Sequence, residues 1–340
     1  MKDFNMNDMV KLALDNYRGR TEKYSSEDAQ ESIRKGLIEL NNGKTTLDYR
    51  AIRDGKCPGL FSFIETVLGA TTIEGLQGDE YFNQFVDYRN VAEGDQNLFR
   101  VDDSDLFVVS KAANGTQGIR RQRLGGAKEI AIPTAMRYVR IYEELNRVLS
   151  RRVDFNTMII KVSDSFRQQI LNEIYTLWTG VTAEQLGGAA FFPVAGAYDE
   201  DKLLDVIAHV EAAAGGKTAT VVGTKKALRN LKSSVLADTA KEDLYKYGVY
   251  GTFFGTPLVA TPQRHKVGTN DFVMDDNMLT IIAGDQKPIK FVYEGDPIAL
   301  AGDPMSNADL TNEYLFGEKY GMGIVVAGNN AGVGRYEISE

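Results

Sequence analysis

The sequence predicts an α+β fold: a slender helical and extended first half, one long helix, and a compact second half. Three observations predict it. Between Asp154 and Gly180 apolar residues recur every three or four positions, the period of an amphipathic helix. From Asp79 to Lys128 apolar residues are few and lie among glycines and turn signals, as in extended chain. From Tyr198 onward, helix-like and strand-like runs alternate.

In order along the chain, "NMNDMVKLALDNYR" sets Met6, Met9, Val10, Leu12 and Ala13 loosely on one side of a helix. "SSEDAQESIRKGLIEL" opens a second helix on Ser25 or Ser26 as N-cap, with acidic residues in its first turn. "NNGKTT" breaks it. Helices this thinly apolar cannot bury enough surface alone, so they need a surface in this chain or in a neighbour. A more apolar helix follows, Leu60 to Leu68. The stretch from Asp79 to Lys128 then carries a hairpin signal at Asn114-Gly115 and glycines at 118, 125 and 126. It reads as a long two-stranded arm. An isolated ribbon is only marginally stable, so the arm either finishes its packing on another subunit or folds back over its own domain.

The long helix is capped by Asp154 and ended by Gly180. Its stripe is Phe155, Met158, Ile159, Val162, Phe166, Ile170, Ile174, Leu177 and Trp178. At 1.5 Å per residue it is roughly 40 Å long and forms the spine of the fold. In the second half, "EDKLLDVIAHVEAAAGG" and "KKALRNLKSS" read as helices; "TATVVGT", "TPLVATP", "NMLTIIAGD" and "PIKFVYEGDP" read as strands. Before "TPLVATP", Gly255 supplies a positive φ and Pro257 fixes its own, which aims Leu258 and Val259 into a sheet. "TNEYLFGEKYGMGIVVAG" is a long return strand beside the spine.

Composition bounds the function. A chain of 340 residues, 43% hydrophobic and 25% charged, can bury one large or two medium cores. A net charge of −8 argues against an overall basic nucleic-acid binder, though not against a local basic face. Cys57 is the only cysteine, which excludes an intrachain disulfide framework and a cysteine-based metal site. No stretch approaches the ~20 apolar residues of a membrane helix, and the first residues lack a signal-peptide core. Catalytic signals are sparse. His209 falls in a helical pattern and His265 in a polar loop, neither beside a visible nucleophile and acid. "GGKTATVVGT" has Glu211 where a phosphate loop needs glycine, and its helix precedes the strand; it reads as a helix stop. The expectation is a non-enzyme without cofactor or metal.

Three passages carry a resemblance. "RRVDFNTMIIKVSDSFRQQILNEIYTLWTG", Arg151 to Gly180, resembles the spine helix of tailed-phage major capsid proteins, the Hong-Kong-97-type fold shared with encapsulin shells. "TFFGTPLVAT", Thr252 to Thr261, resembles that family's turn into a strand of the axial domain. "LTNEYLFGEKYGMGIVV", Leu310 to Val326, resembles its closing strand. The resemblance implies a Hong-Kong-97-like division: an N-terminal helical arm (1–78), an extended β-hairpin loop (79–128), a peripheral domain with the spine helix (129–197 and 304–340) and an α/β axial domain (198–303). It implies a major capsid protein that self-assembles into hexamers and pentamers of an icosahedral phage head. The head encloses double-stranded DNA, held without sequence preference, and is assembled in the bacterial host cytoplasm. Scaffolding, portal and cement proteins are the further partners it implies; no membrane is involved. The alternatives are an encapsulin-type compartment and, from another class, an enzyme of the α/β domain.

Charge adds candidate interface residues. Gly118 to Arg152 holds nine basic and three acidic residues; Asp271 to Asp303 holds seven acidic and two basic. Opposite patches steer neighbouring subunits together. Lys111, Arg120, Arg121, Arg123, Lys128, Arg151 and Arg152 are the expected subunit-interface cations. Those on the arm face either a neighbour's carboxylates, DNA phosphates or solvent.

Overall fold

A computed structural model describes residues 6–18, 25–46, 50–51, 54–78, 80–101, 109, 121–123, 128–142, 147, 149–152, 155–193, 196–231, 251–266, 268–283, 287–301, 313–325 and 332–339. The Asn114-Gly115 turn, Lys111, Arg120 and the Asp154 cap lie outside them.

Three helices open the chain: α1 (Met6–Tyr17), α2 (Ser26–Leu40) and α3 (Pro58–Gln77). The Ser25 side chain caps α2 by accepting the Asp28 N–H at 3.1 Å. Helix α3 runs well past the expected Leu68, because Thr71, Thr72 and Leu76 continue its buried surface. A short α4 (Glu80–Phe85) leads into β1 (Val86–Val91). The arm is present at its root as the antiparallel pair β2 (Leu98–Val101) and β3 (Lys128–Ala131). After β4 (Ala135–Tyr142) comes the spine, α5 (Phe155–Thr179), and a turn of helix, α6 (Ala183–Leu186). Helix α7 (Glu200–Ala213), β5 (Ala219–Thr224) and α8 (Lys225–Arg229) follow. Then come β6 (Thr252–Phe253), β7 (Thr256–Thr261), β8 (Met278–Ala283), β9 (Ile289–Glu294), β10 (Ile298–Ala301), β11 (Glu313–Ile324) and β12 (Val333–Glu337).

The spine threads two cores. Its first half, Met158, Ile159, Val162 and Phe166, packs with Met9, Ile33, Leu37, Phe63 and Val67 of the opening helices. The opening helices therefore find a surface in this chain. The second half, Ile170, Ile174 and Trp178, joins the core of the α/β region. There the Trp178 indole N–H donates to Thr280 Oγ1 of β8 at 3.0 Å.

Two sheets flank this rod. The second has the order β12-β8-β5-β7-β6, with β5 and β7 parallel. Helix α7 covers it with Leu203, Val206, Ile207 and Val210. Gly215 and Gly216 end α7 at φ +72 and +84, and the Gly216 N–H donates back to the Glu211 carbonyl, which bears out a helix stop rather than a phosphate loop. Phe254 and Gly255 join β6 to β7 with φ +47 and +83, positive at both central positions as a type I′ hairpin requires. The sequence pointed to Gly255 alone; the bulky Phe254 shares the left-handed strain.

The first sheet is assembled from distant pieces. β11 pairs along one edge with β4. Along its other edge it pairs with β9 and β10, which form one interrupted strand. β1 adds in parallel outside β9. The interruption is made by Gly295 at φ +72 and by Pro297, which lies over α3 where a Cβ on Gly69 would come within 2.6 Å of it. Two pieces sit elsewhere than the sequence suggested. β9 and β10, from the stretch read as axial, belong to the first sheet; β12, from the stretch read as peripheral, belongs to the second. Hydrogen-bond partners of a buried strand are chosen by tertiary register, which short apolar runs do not encode.

Candidate functional site

β11 alternates as a strand must. Tyr314, Phe316, Glu318 and Tyr320 face the helices and are buried. Leu315, Gly317 and Lys319 face the other way, and so do their cross-strand partners. Ile298 and Tyr138 lie in register on either side of Gly317, and Leu300 and Arg140 on either side of Leu315. Tyr138 lies across Gly317, where a Cβ would meet its ring at 2.8 Å and the Met136 methyl at 3.1 Å. The outer face is thus an apolar strip: Met136, Tyr138, Leu315, Ile298 and Leu300. Tyr138 is 55% and Leu300 54% exposed, and the charged Arg140 beside them, paired with Glu313, is exposed as well. Large apolar side chains massed on one open face mark an interaction surface; scattered ones do not.

An acidic cavity of about 650 Å³ adjoins the strip and shares Met136 and Ile298 with it. Glu65, Glu93, Glu294 and Asp296 line it, with Lys319 as the one cation among its lining residues. Glu294 takes the Lys319 ammonium at 2.8 Å, the Thr134 hydroxyl and the Gly94 N–H at 3.1 Å. These donors, Lys319 first, hold its carboxyl down near 2. Lys319 also lies 4.0 Å from Glu93. Three of the four carboxylates thus remain in excess of the lysine, which gives the cavity a negative potential suited to a guanidinium.

The expected interface cations fall in separate places. Arg121 and Arg123 are exposed on the arm. Lys128 opens β3, with its backbone paired to Val101. Arg151 is held by its own chain: its guanidinium reaches Glu31 of α2 at 2.6 Å, and with Arg34 it lowers that carboxyl to about 2. Arg152 is exposed beside it. The strip itself escaped the sequence reading, although Met136, Tyr138 and Arg140 alternate with Val139 and Ile141 as a half-covered strand does. The inward Arg137, stacked on the Tyr320 ring at 4.4 Å and paired with Glu173 at 2.9 Å, disguised the pattern.

His209 lies against the Phe191 ring at 6.0 Å, and His265 stacks on Phe272 at 5.3 Å. Among the described residues no group of three or more His, Cys, Asp or Glu side chains is arranged to hold a metal ion. No described helix is long and apolar enough to cross a membrane.

Residues 8–334 match the family described as "SPbeta prophage-derived putative capsid protein YonB". No curated protein matches the chain. Among solved structures, the mature capsid of bacteriophage PhiM1 is similar at 10% identity and TM-score 0.50, over 77% of this chain and 88% of that one. The capsid of a native GTA particle is similar at 15% identity and TM-score 0.47, over 76% and 89%. The virus-like particle of Pyrococcus furiosus is similar at 15% identity and TM-score 0.42, over 79% and 97%. The PhiM1 likeness supports the Hong-Kong-97-type capsid fold.

Proposed function

Because the chain belongs to the YonB family of prophage-derived capsid proteins, a structural subunit of a phage shell, we propose that the outer face of its first sheet is the seat of a neighbouring copy. The apolar strip is the observation that carries this reading. Covering Tyr138, Ile298 and Leu300, which are 55%, 38% and 54% exposed, takes the remaining apolar area of this face from water, worth a fraction of the about 1.5–3 kcal/mol that fully burying an exposed apolar side chain gives. The acidic cavity at the strip's edge suits Arg121 and Arg123 of that neighbour, and the basic arm is long enough to leave its own body. A contact between two different surfaces of the same chain is head-to-tail, and such contacts close into rings when the rotation closes. Hexamers and pentamers are the rings an icosahedral shell needs. Each contact is modest, and many acting together stabilise the particle. The enclosed cargo in this reading is double-stranded DNA, contacted through phosphates alone. Scaffolding, portal and cement proteins complete the head, which assembles in the bacterial cytoplasm.

The test is Leu300→Asp, which places a charge on the exposed strip without touching a core. Negative-stain imaging of the wild type should show hollow shells or rings. The variant should remain unassembled, with an unchanged circular-dichroism spectrum and melting temperature. Normal shells from Leu300→Asp would remove the strip from the interface.

A further inference from the structure

The inner face of the same sheet holds an acid that the shell reading does not use. Glu318, at the middle of β11, has no solvent exposure, and neither carboxyl oxygen has a hydrogen-bond partner. It lies between Phe316 and Tyr320 on the buried face of the strand. Thr72 of α3 approaches it and favours the charged form, yet the Thr72 hydroxyl is turned to Ser163 of the spine, 3.5 Å away. The phenol oxygens of Tyr88 on β1 and Tyr293 on β9 are buried without partners as well.

Glu318 bears electrostatically on these two phenols and on Tyr320. The cations on the elements around it are engaged elsewhere. Arg137, its cross-strand neighbour on β4, pairs with Glu173. Arg167 of the spine pairs with Asp164, Lys290 of β9 with Asp87, and Lys319 with Glu294. The carboxylates of α3 are also turned away: Glu65 accepts the Ala299 N–H and Glu74 the Arg18 guanidinium. An isolated buried carboxylate is strongly disfavoured, so the group stays neutral by keeping its proton. Burial pushes its titration up to about 8.

We propose that Glu318 is a proton-controlled latch between the first sheet and helices α3 and α5, closed while the carboxyl is neutral and released in alkaline solution. On release the O–H bond breaks, the proton passes to a base in solvent, and the carboxylate left behind draws water between strand and helices. The folded-state value is raised above that of the unfolded chain, so the stability associated with the proton is complete at acid pH and falls as pH rises through the folded value. The outer face of this strand is the proposed seat of a neighbour; the coupling of the latch to the shell rests on that reading, whereas the latch itself does not.

Hydrogen exchange on unassembled Leu300→Asp subunits tests the latch alone, and the same measurement on wild-type shells tests the coupling. Between about pH 5 and about pH 8, after correction for intrinsic exchange, peptides from β11 and α3 should lose protection by up to roughly tenfold per pH unit, and the loss should level off above the folded value. Peptides from β5 should not. In Glu318→Gln, whose amide cannot ionise, the loss should vanish. Equal pH profiles in the two proteins would overturn the latch. Should Glu318→Gln not fold, infrared difference spectra of the unsubstituted residue decide. A protonated-carboxyl band present in acid should disappear near the value of about 8 that burial imposes, together with the protection. Absence of that band at acid pH would overturn the proposal. If subunits respond and shells do not, the latch stands and the assignment of the strip to the neighbour fails.

Discussion

Two glycines two residues apart on β11 give a matched pair. At Gly321 an added Cβ would sit 2.2 Å from the Pro133 carbonyl oxygen and 3.1 Å from Thr134 Cα, all backbone atoms. At Gly323, in the same strand and on the same side, its nearest neighbour is the Ile132 side chain at 3.6 Å, an ordinary contact. Neither φ is in the left-handed region, so conformational strain does not distinguish them. Gly321→Ala must therefore push back the segment leading into β4 by about an ångström and loosen the Tyr320–Ala135 register. Overpacking of a rigid neighbour costs typically 1–3 kcal/mol, and more where backbone must move; about 3 kcal/mol is expected. Gly323→Ala should be neutral or stabilising by about 0.5 kcal/mol, since alanine restricts the unfolded chain. Urea unfolding followed by Trp178 fluorescence measures both. Against a total stability of order 5–15 kcal/mol the difference is easily resolved. Equal midpoints for the two variants would refute the close approach of Pro133 to β11, and with it the placement of β4.

Thr280→Val should cost about 1–3 kcal/mol, because it leaves the buried Trp178 N–H without its acceptor; differential scanning calorimetry reads the loss, and an unchanged transition would deny the bond. Phe254→Asn should raise the melting temperature, the gain being of order 1 kcal/mol, since asparagine tolerates positive φ where phenylalanine is strained. A fall would mean that the edge-to-face contact of Phe254 with Phe253, 5.0 Å between centroids, outweighs the turn. Glu294 titrates near 2 instead of its ordinary 4.5, so its contribution is present above the ordinary value and lost as pH falls toward the folded one. Lys319→Met removes the largest cause, and its unfolding midpoint should depend less on pH in that acid window than the wild type's; parallel curves would contradict the pairing.

What the sequence disclosed is local, and what it hid is long-range. The spine was legible because its stripe repeats within one helix, and Ser25 was legible because a cap lies beside the helix it caps. The membership of β9 was not: Ile289–Glu294 reads as a buried strand, yet its partners are β1 and β11, the former some two hundred positions away. β12 was missed because Gly334, which lets the strand pass α7 with Val210 2.8 Å from a virtual Cβ, reads in sequence as a turn. The buried side of β11, opposite the candidate surface, was nonetheless written in period two. Tyr314, Phe316, Glu318 and Tyr320 share one side, so a carboxyl in the core was readable once the strand was known to be covered on that side. The strip opposite needed β4 and β10 in register with β11, which no single segment states.

The spine carries a mechanical corollary. A rigid rod with its two halves embedded in different bodies works as a common axle: neither body can turn about it without dislodging side chains from the other, Phe166 on one side and Ile170 on the other being one helical turn apart. Copies placed at sites of unequal curvature would thus have to share one stiff trunk and take up the difference in their outlying limbs.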